Sequence, residues 1–97
     1  MIESFKNQGT ADIFDGVNSK AARKICPESI WRVAVRKLAQ IDSVTTIDEL
    51  AVPPGNHLEK LSGDREGQYS IRINDQYRIC FEWSESDAQA VEIVDYH

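Results

Sequence analysis

Two arginines and a closing trio carry the groups best able to do chemistry. Arg72 and Arg78 lie in the run from Ser70 to Phe81, and the sequence closes on Asp95, Tyr96 and His97. A guanidinium spans two phosphate oxygens and stays charged. An imidazole titrates near neutral pH, with an ordinary pKa of about 6.5. A carboxylate and a phenol can accept or orient protons. Together these groups can hold a phosphodiester and move its protons. Polar residues also crowd ordinary chain ends, so a terminal Asp-Tyr-His that merely finishes a strand in solvent is the simpler reading of those three alone.

Other chemistries have less support. Cys26, Cys80, His57 and His97 show none of the short local spacings that structural zinc sites use, so no metal site is expected, and no cofactor. Both cysteines read as small apolar fillers in a reducing compartment. The 97 residues are expected to form a single domain, 1–97. No apolar run approaches the ~18–20 residues of a membrane span. The opening Met1-Ile2-Glu3-Ser4-Phe5-Lys6 lacks the basic start and apolar stretch of a signal peptide. The expected location is the cytoplasm, with no membrane partner.

A net charge of −5 argues against a simple nucleic-acid binder. Its distribution is less hostile. Residues 1–37 carry seven basic groups against four acidic ones, a balance of +3, and residues 38–97 carry four against twelve, or −8. If the fold keeps the two parts separate, the surface is polarised; a solvated surface with scattered charge is the plainer alternative.

Periodicity supplies the elements that must position these groups. Residues 1–6 alternate and read as a short opening strand. Thr10 can cap a short helix through Asp15 that Gly16 ends, and Lys20–Lys24 read as a basic turn or short helix. The main helix is expected from Pro27, whose ring suits a first helical position, with Glu28 complementing the dipole. Ile30, Ala34, Leu38 and Ile41 form its apolar stripe, which Trp31 and Val35 widen, and Arg32, Arg36 and Lys37 fall mainly on the other side. Thr46 and Glu49 have the spacing of a capping box. Residues 52–56 must be a loop. Strands are expected at 57–61, 68–73, 77–83 and 91–95, with turns at 62–67 and 84–88.

The middle hairpin permits a sharper inference. A two-residue Asn74-Asp75 turn would put Tyr69, Ile71 and Ile73 on the face opposite Tyr77, Ile79, Phe81 and Trp83. A three-residue loop, Asn74-Asp75-Gln76, pairs 73 with 77 and gathers all seven on one face. Those aromatics then read as core. Arg72 and Arg78 fall opposite each other on the second face, a destabilising pair unless an anion or Glu82 relieves it.

Several stretches resemble the HigB-type toxins of the RelE/ParE superfamily. They are residues 53–61 (Pro53-Pro54-Gly55-Asn56-His57-Leu58-Glu59-Lys60-Leu61), residues 63–79 with their Gly63-Asp64-Arg65-x-Gly67 turn, the closing 91–97, and the opening Met1-Ile2-x-Ser4-Phe5. The resemblance spans nearly the whole chain. It implies an α+β fold, with N-terminal helices packed on one face of a small, mostly antiparallel, curved sheet. It also implies a ribosome-dependent mRNA endonuclease working in the ribosomal A site. A helix-turn-helix antitoxin of the HigA type would hold it in check, with operator DNA bound only through that complex.

Carried over by position, the resemblance makes Arg78 the phosphate-stabilising arginine and Asp95, Tyr96 and His97 the catalytic cluster. It places Arg65 in the turn and Gln76 near the RNA. Ser62 departs from the pattern, because some members carry a lysine there; Lys60 is the candidate substitute. His57 stands where many members have arginine, and Arg72 is a further RNA-facing cation. Metal-free cleavage by the substrate's 2′-hydroxyl needs a base, an acid and a cation at the phosphorane. Arg78 suits the last, supported by Arg72 or Lys60, and His97 suits proton transfer; Asp95 could orient His97 or act as the base. Two alternatives stay open: a ParE-like toxin that binds gyrase, and a catalytically weak module acting mainly as the antitoxin's partner.

Overall fold

The computed structural model describes residues 1–96. Helices α1 (Gln8–Asp15), α2 (Lys20–Ile25) and α3 (Trp31–Ser43) precede strands β1 (Glu59–Lys60), β2 (Gln68–Arg72), β3 (Tyr77–Ser84) and β4 (Asp87–Asp95). The strands form one antiparallel sheet in sequence order. Short 3-10 turns at Glu28–Ile30, Ile47–Ala51, Pro54–Asn56 and Gly63–Arg65 fill the connections. No helix is long and apolar enough to cross a membrane.

Local chemistry accounts for most boundaries, with two shifts from expectation. α1 is capped by Asn7, whose side chain accepts from the Thr10 amide at 2.9 Å, rather than by Thr10. Thr10 is instead buried, and its hydroxyl accepts from the Ile93 amide at 3.2 Å, tying α1 to β4. Gly16 ends α1 in the left-handed region (φ 77°), as expected of a residue without Cβ. The main helix begins at Trp31, not Pro27, because Glu28–Ile30 wind as a 3-10 turn first. Its stripe of Ala34, Leu38 and Ile41 is fully buried against the sheet. The Thr46–Glu49 capping box forms as the spacing predicts.

The hairpin adopts the register that its apolar alternation requires. Ile71 pairs with Ile79 and Arg72 with Arg78, and the Ile73 amide donates to the Tyr77 carbonyl at 2.9 Å. Ile71, Ile79 and Phe81 therefore enter the core, with Tyr69 and Trp83 packed around it. The last strand is longer than expected. Ala88, Val91 and Ile93 are all buried, which simple alternation forbids. A bulge reconciles them: Ala90 (φ 51°) and Val91 lie opposite Phe81 alone, between the pairs Glu82–Gln89 and Cys80–Glu92. The opening residues make two parallel bridges, Ile2 to Ala88 and Phe5 to Val91, in place of a continuous strand. At the other edge, β1 keeps only two residues of the expected 57–61, because His57 is left-handed (φ 46°).

Candidate active site

The helices cover one face of the sheet, so the alternate residues of the strands build the other. Ser70 and Arg72 come from β2, Arg78 and Cys80 from β3, and Glu92 from β4. Glu59 joins them because β1 pairs it with Ser70. This face is held by ionic and hydrogen-bonded links.

Arg78 is the centre of it. The residue is 9% exposed, a burial that an unpaired cation would not tolerate. Its Nε donates to Ser70 Oγ at 2.9 Å and an Nη donates to the His57 carbonyl at 2.6 Å. The other Nη lies 3.7 Å from a Glu59 carboxylate oxygen, and Cζ sits 5.5 Å from the centre of the Tyr96 ring. Serine, carbonyl and ring fix the orientation of the fork, while Glu59, half exposed, is the partner an incoming anion could displace.

Arg65 forms a second charged group. It donates to Gln68 at 3.0 Å and to Glu92 at 3.1 Å, and the Glu92 bond raises its pKa further. Lys6 also reaches Glu92, at 3.4 Å. A cleft of about 360 Å³ opens beside Arg65, lined by Ser62, Asp64, Val94, Asp95 and Tyr96. The Gly63–Arg65 turn and the end of β4 are thereby brought to one place.

The expected site residues fall into three groups. Arg78, Arg65, Asp95 and Tyr96 converge around this cleft and the ring beside it. Arg72 is opposite Arg78 as expected, and within the chain Glu82 is not the group that relieves the repulsion. Arg72 pairs with Asp75 and donates to the Asn74 carbonyl at 3.1 Å, Arg78 takes Glu59, and exposed Glu82 sits opposite Gln68. Two cations that repel each other are each neutralised from their own side.

Three residues have placements or intrachain contacts that the sequence did not indicate. Lys60 pairs with Tyr69, so alternation puts it on the face away from Arg78. His57 meets Arg78 through its carbonyl, while its side chain stays exposed. Gln76 binds protein: its side chain donates to Asp95 at 2.9 Å and its carbonyl accepts from the Tyr96 amide at 2.7 Å. His97 lies outside the described residues. Glu59, Ser70 and Glu92 were not singled out by sequence, and strand pairing is what brings them to the arginines.

Comparisons with known proteins bear on the family and the fold. The family model described as "RelE-like toxin of type II toxin-antitoxin system HigB" matches residues 3–97. Endoribonuclease HigB of Proteus vulgaris is 37% identical over 98 residues, spanning all of both chains. Toxin HigB-1 of Vibrio cholerae is 42% identical over 60 residues, 62% of this chain and 63% of that protein. A Haemophilus influenzae protein is 38% identical over 61 residues, 63% of this chain, and the match spans 60% of its length. Among solved structures, a YafQ mutant from E. coli superposes with a TM-score of 0.57 at 9% identity, covering 99% of this chain and 94% of its own. The YoeB-YefM complex from Staphylococcus aureus gives 0.54 at 14% identity, covering 100% and 98%. At those identities the structures speak for the fold. The sequence matches go further: this chain belongs to the HigB-like toxin family, the RelE-like toxins of type II toxin–antitoxin systems.

Proposed function

We propose that this chain is the toxin of a type II toxin–antitoxin pair and that it cleaves mRNA on translating ribosomes. The observation that carries the reading is Arg78, a nearly buried guanidinium oriented by Ser70 and His57, with a displaceable carboxylate and an aromatic ring beside it. A preorganised cation of this kind stabilises the extra charge of a phosphorane without reorganising during the reaction. The family membership and the full-length likeness to an endoribonuclease support the same class of reaction.

In this mechanism the substrate's 2′-hydroxyl attacks the adjacent phosphorus and the 5′-oxygen departs. Arg78 displaces Glu59 in favour of the phosphate, Tyr96 stacks on or hydrogen-bonds the substrate, and Arg65 faces the chain that continues into the cleft. Asp95 and His97 move the two protons, one to the base and one from the acid. No metal takes part in this scheme. The antitoxin is a helix-turn-helix protein of the HigA type, and operator DNA is reached through that complex. The chain works in the cytoplasm, at the ribosomal A site.

Primer extension on a reporter mRNA in a translating extract tests this, with Arg78→Ala and His97→Ala beside the wild type. Cuts within codons should appear only during translation and fall by about 10²-fold or more in Arg78→Ala, the usual cost of losing such a donor. Cuts that persist unchanged in that variant would overturn the site. A second reading has one observation in its favour, the placement of Lys60 away from the cleft with serine at 62. It makes this chain a weak catalyst acting mainly as the antitoxin's partner, and uncut message with tight antitoxin binding would select it.

A further inference from the structure

Asn56 is fully buried and uses both ends of its amide. Its Nδ2 donates to Gln40 Oε1 at 3.0 Å and to the Leu50 carbonyl at 3.1 Å, with a longer contact of 3.4 Å to the Val52 carbonyl. Its Oδ1 accepts from Lys37 Nζ at 2.5 Å. Burial, followed by the charges of Arg36 and Arg72, lowers the pKa of Lys37. Gln40 donates in turn to the Val52 carbonyl at 2.6 Å. One side chain thus joins α3 to the 3-10 turns before and around it.

The next residue is His57, whose carbonyl holds Arg78. The backbone between them has little freedom: the Asn56 amide donates to Pro53, the His57 amide donates to Pro54, and His57 is left-handed. A residue other than glycine in that region needs its surroundings to hold it there. Moving the Asn56 side chain therefore moves the His57 carbonyl, and with it one of the acceptors that aim the Arg78 fork.

We propose that Asn56 is a positioning residue for Arg78, linking its guanidinium through the His57 carbonyl to the frame of helix α3. This rests on the reading of Arg78 as the group that meets the phosphate. It differs from a purely structural role, which would lower stability without a selective effect on the arginine.

The test combines cleavage kinetics with a direct view of the arginine. Asn56→Asp keeps the acceptor for Lys37 and removes the donors, and Gln40→Ala loosens the same network from the helix side should Asn56→Asp fail to fold. In the translating extract, the variant that folds should lower kcat by roughly 10- to 100-fold, the scale of a small misplacement, while KM stays unchanged. In an Arg78→Lys background the same substitution should add little, because the group it positions is already gone. Independently of activity, the Arg78 Nε–H resonance in a 15N spectrum should be slow to exchange in the wild type and fast in the variant.

Equal losses in the arginine and lysine backgrounds, or an unchanged Arg78 resonance in a folded variant, would overturn the proposal. If Arg78→Ala itself leaves cleavage intact, the reading of Arg78 as the group that meets the phosphate fails, and the resonance still decides whether Asn56 holds the arginine. If Arg78→Ala abolishes cleavage and Asn56→Asp changes neither kcat nor resonance, the positioning role alone is wrong.

Discussion

At the scale of residues, hydroxyls carry much of the order in this molecule. Thr10 shows it best, because its hydroxyl is the acceptor for a buried amide of β4. Thr10→Val keeps the shape and removes the acceptor. It should cost about 1–3 kcal/mol, the penalty of an unpaired buried donor, measured by urea unfolding at unchanged slope. Arg78 and Tyr96 were singled out from sequence through the family resemblance, since each sits in a recognisable motif, and the structure sets them beside each other. Glu59 and Ser70 were not. Their roles depend on which residues strand pairing sets opposite which, and β1 is too short to show alternation. The face that Lys60 takes was not legible for the same reason: one step along a strand changes the face. The Gln76–Asp95 bond was not legible either, because a loop amide gives no hint of which carboxylate will lie beside it.

At the scale of elements, the approach of α1 to α2 is the most demanding contact. A Cβ on Gly9 would lie 2.3 Å from Ile25 Cγ1 and 2.5 Å from the Ala21 carbonyl. The side chain could turn away, but the carbonyl belongs to a helix and cannot. Gly9→Ala should therefore destabilise the fold by about 1–3 kcal/mol, despite alanine's better helix propensity, as a loss of several degrees in Tm would show. The hairpin was the most legible element, because seven apolar residues can share a face in only one of the two loop lengths considered. The bulge in β4 was illegible as a strand because its extra residue breaks the alternation that periodicity reads. The cap of α1 was misplaced by three residues, since Asn7 and Thr10 both have suitable side chains and only packing against β4 separates them.

At the scale of the whole molecule, the arginines of the sheet side differ from most cations of the helices in being ion-paired. Lys20, Lys24, Arg32 and Arg36 of the helices have no ion pair among the described residues, whereas Arg65, Arg72 and Arg78 of the sheet side all do. Ion pairing thus distinguishes these helical cations from the three sheet arginines, although Lys60 of β1 also lacks an ion pair among the described residues. Both cysteines are buried, and burial pushes the Cys26 thiol up to about 11 and raises that of Cys80. An unfolded thiol ionises near pH ~8.5. The native state binds these protons more tightly, so their contribution to stability is full below that pH and declines as pH rises toward the native values. Iodoacetamide at pH 8 should accordingly label neither cysteine faster than the protein unfolds; rapid native-state labelling would contradict the burial. The first ten residues have a further consequence. Along the outer side of β4, the amides of Ala88, Val91 and Ile93 donate to Met1, Ser4 and Thr10, and that of Ala90 to the Ser4 hydroxyl. A sheet edge so occupied gives no template to an incoming strand, from another copy or an aggregate. Strand addition is left to β1, where a two-residue ladder of Glu59 and Lys60 offers little to pair with and a charge of each sign to discourage it.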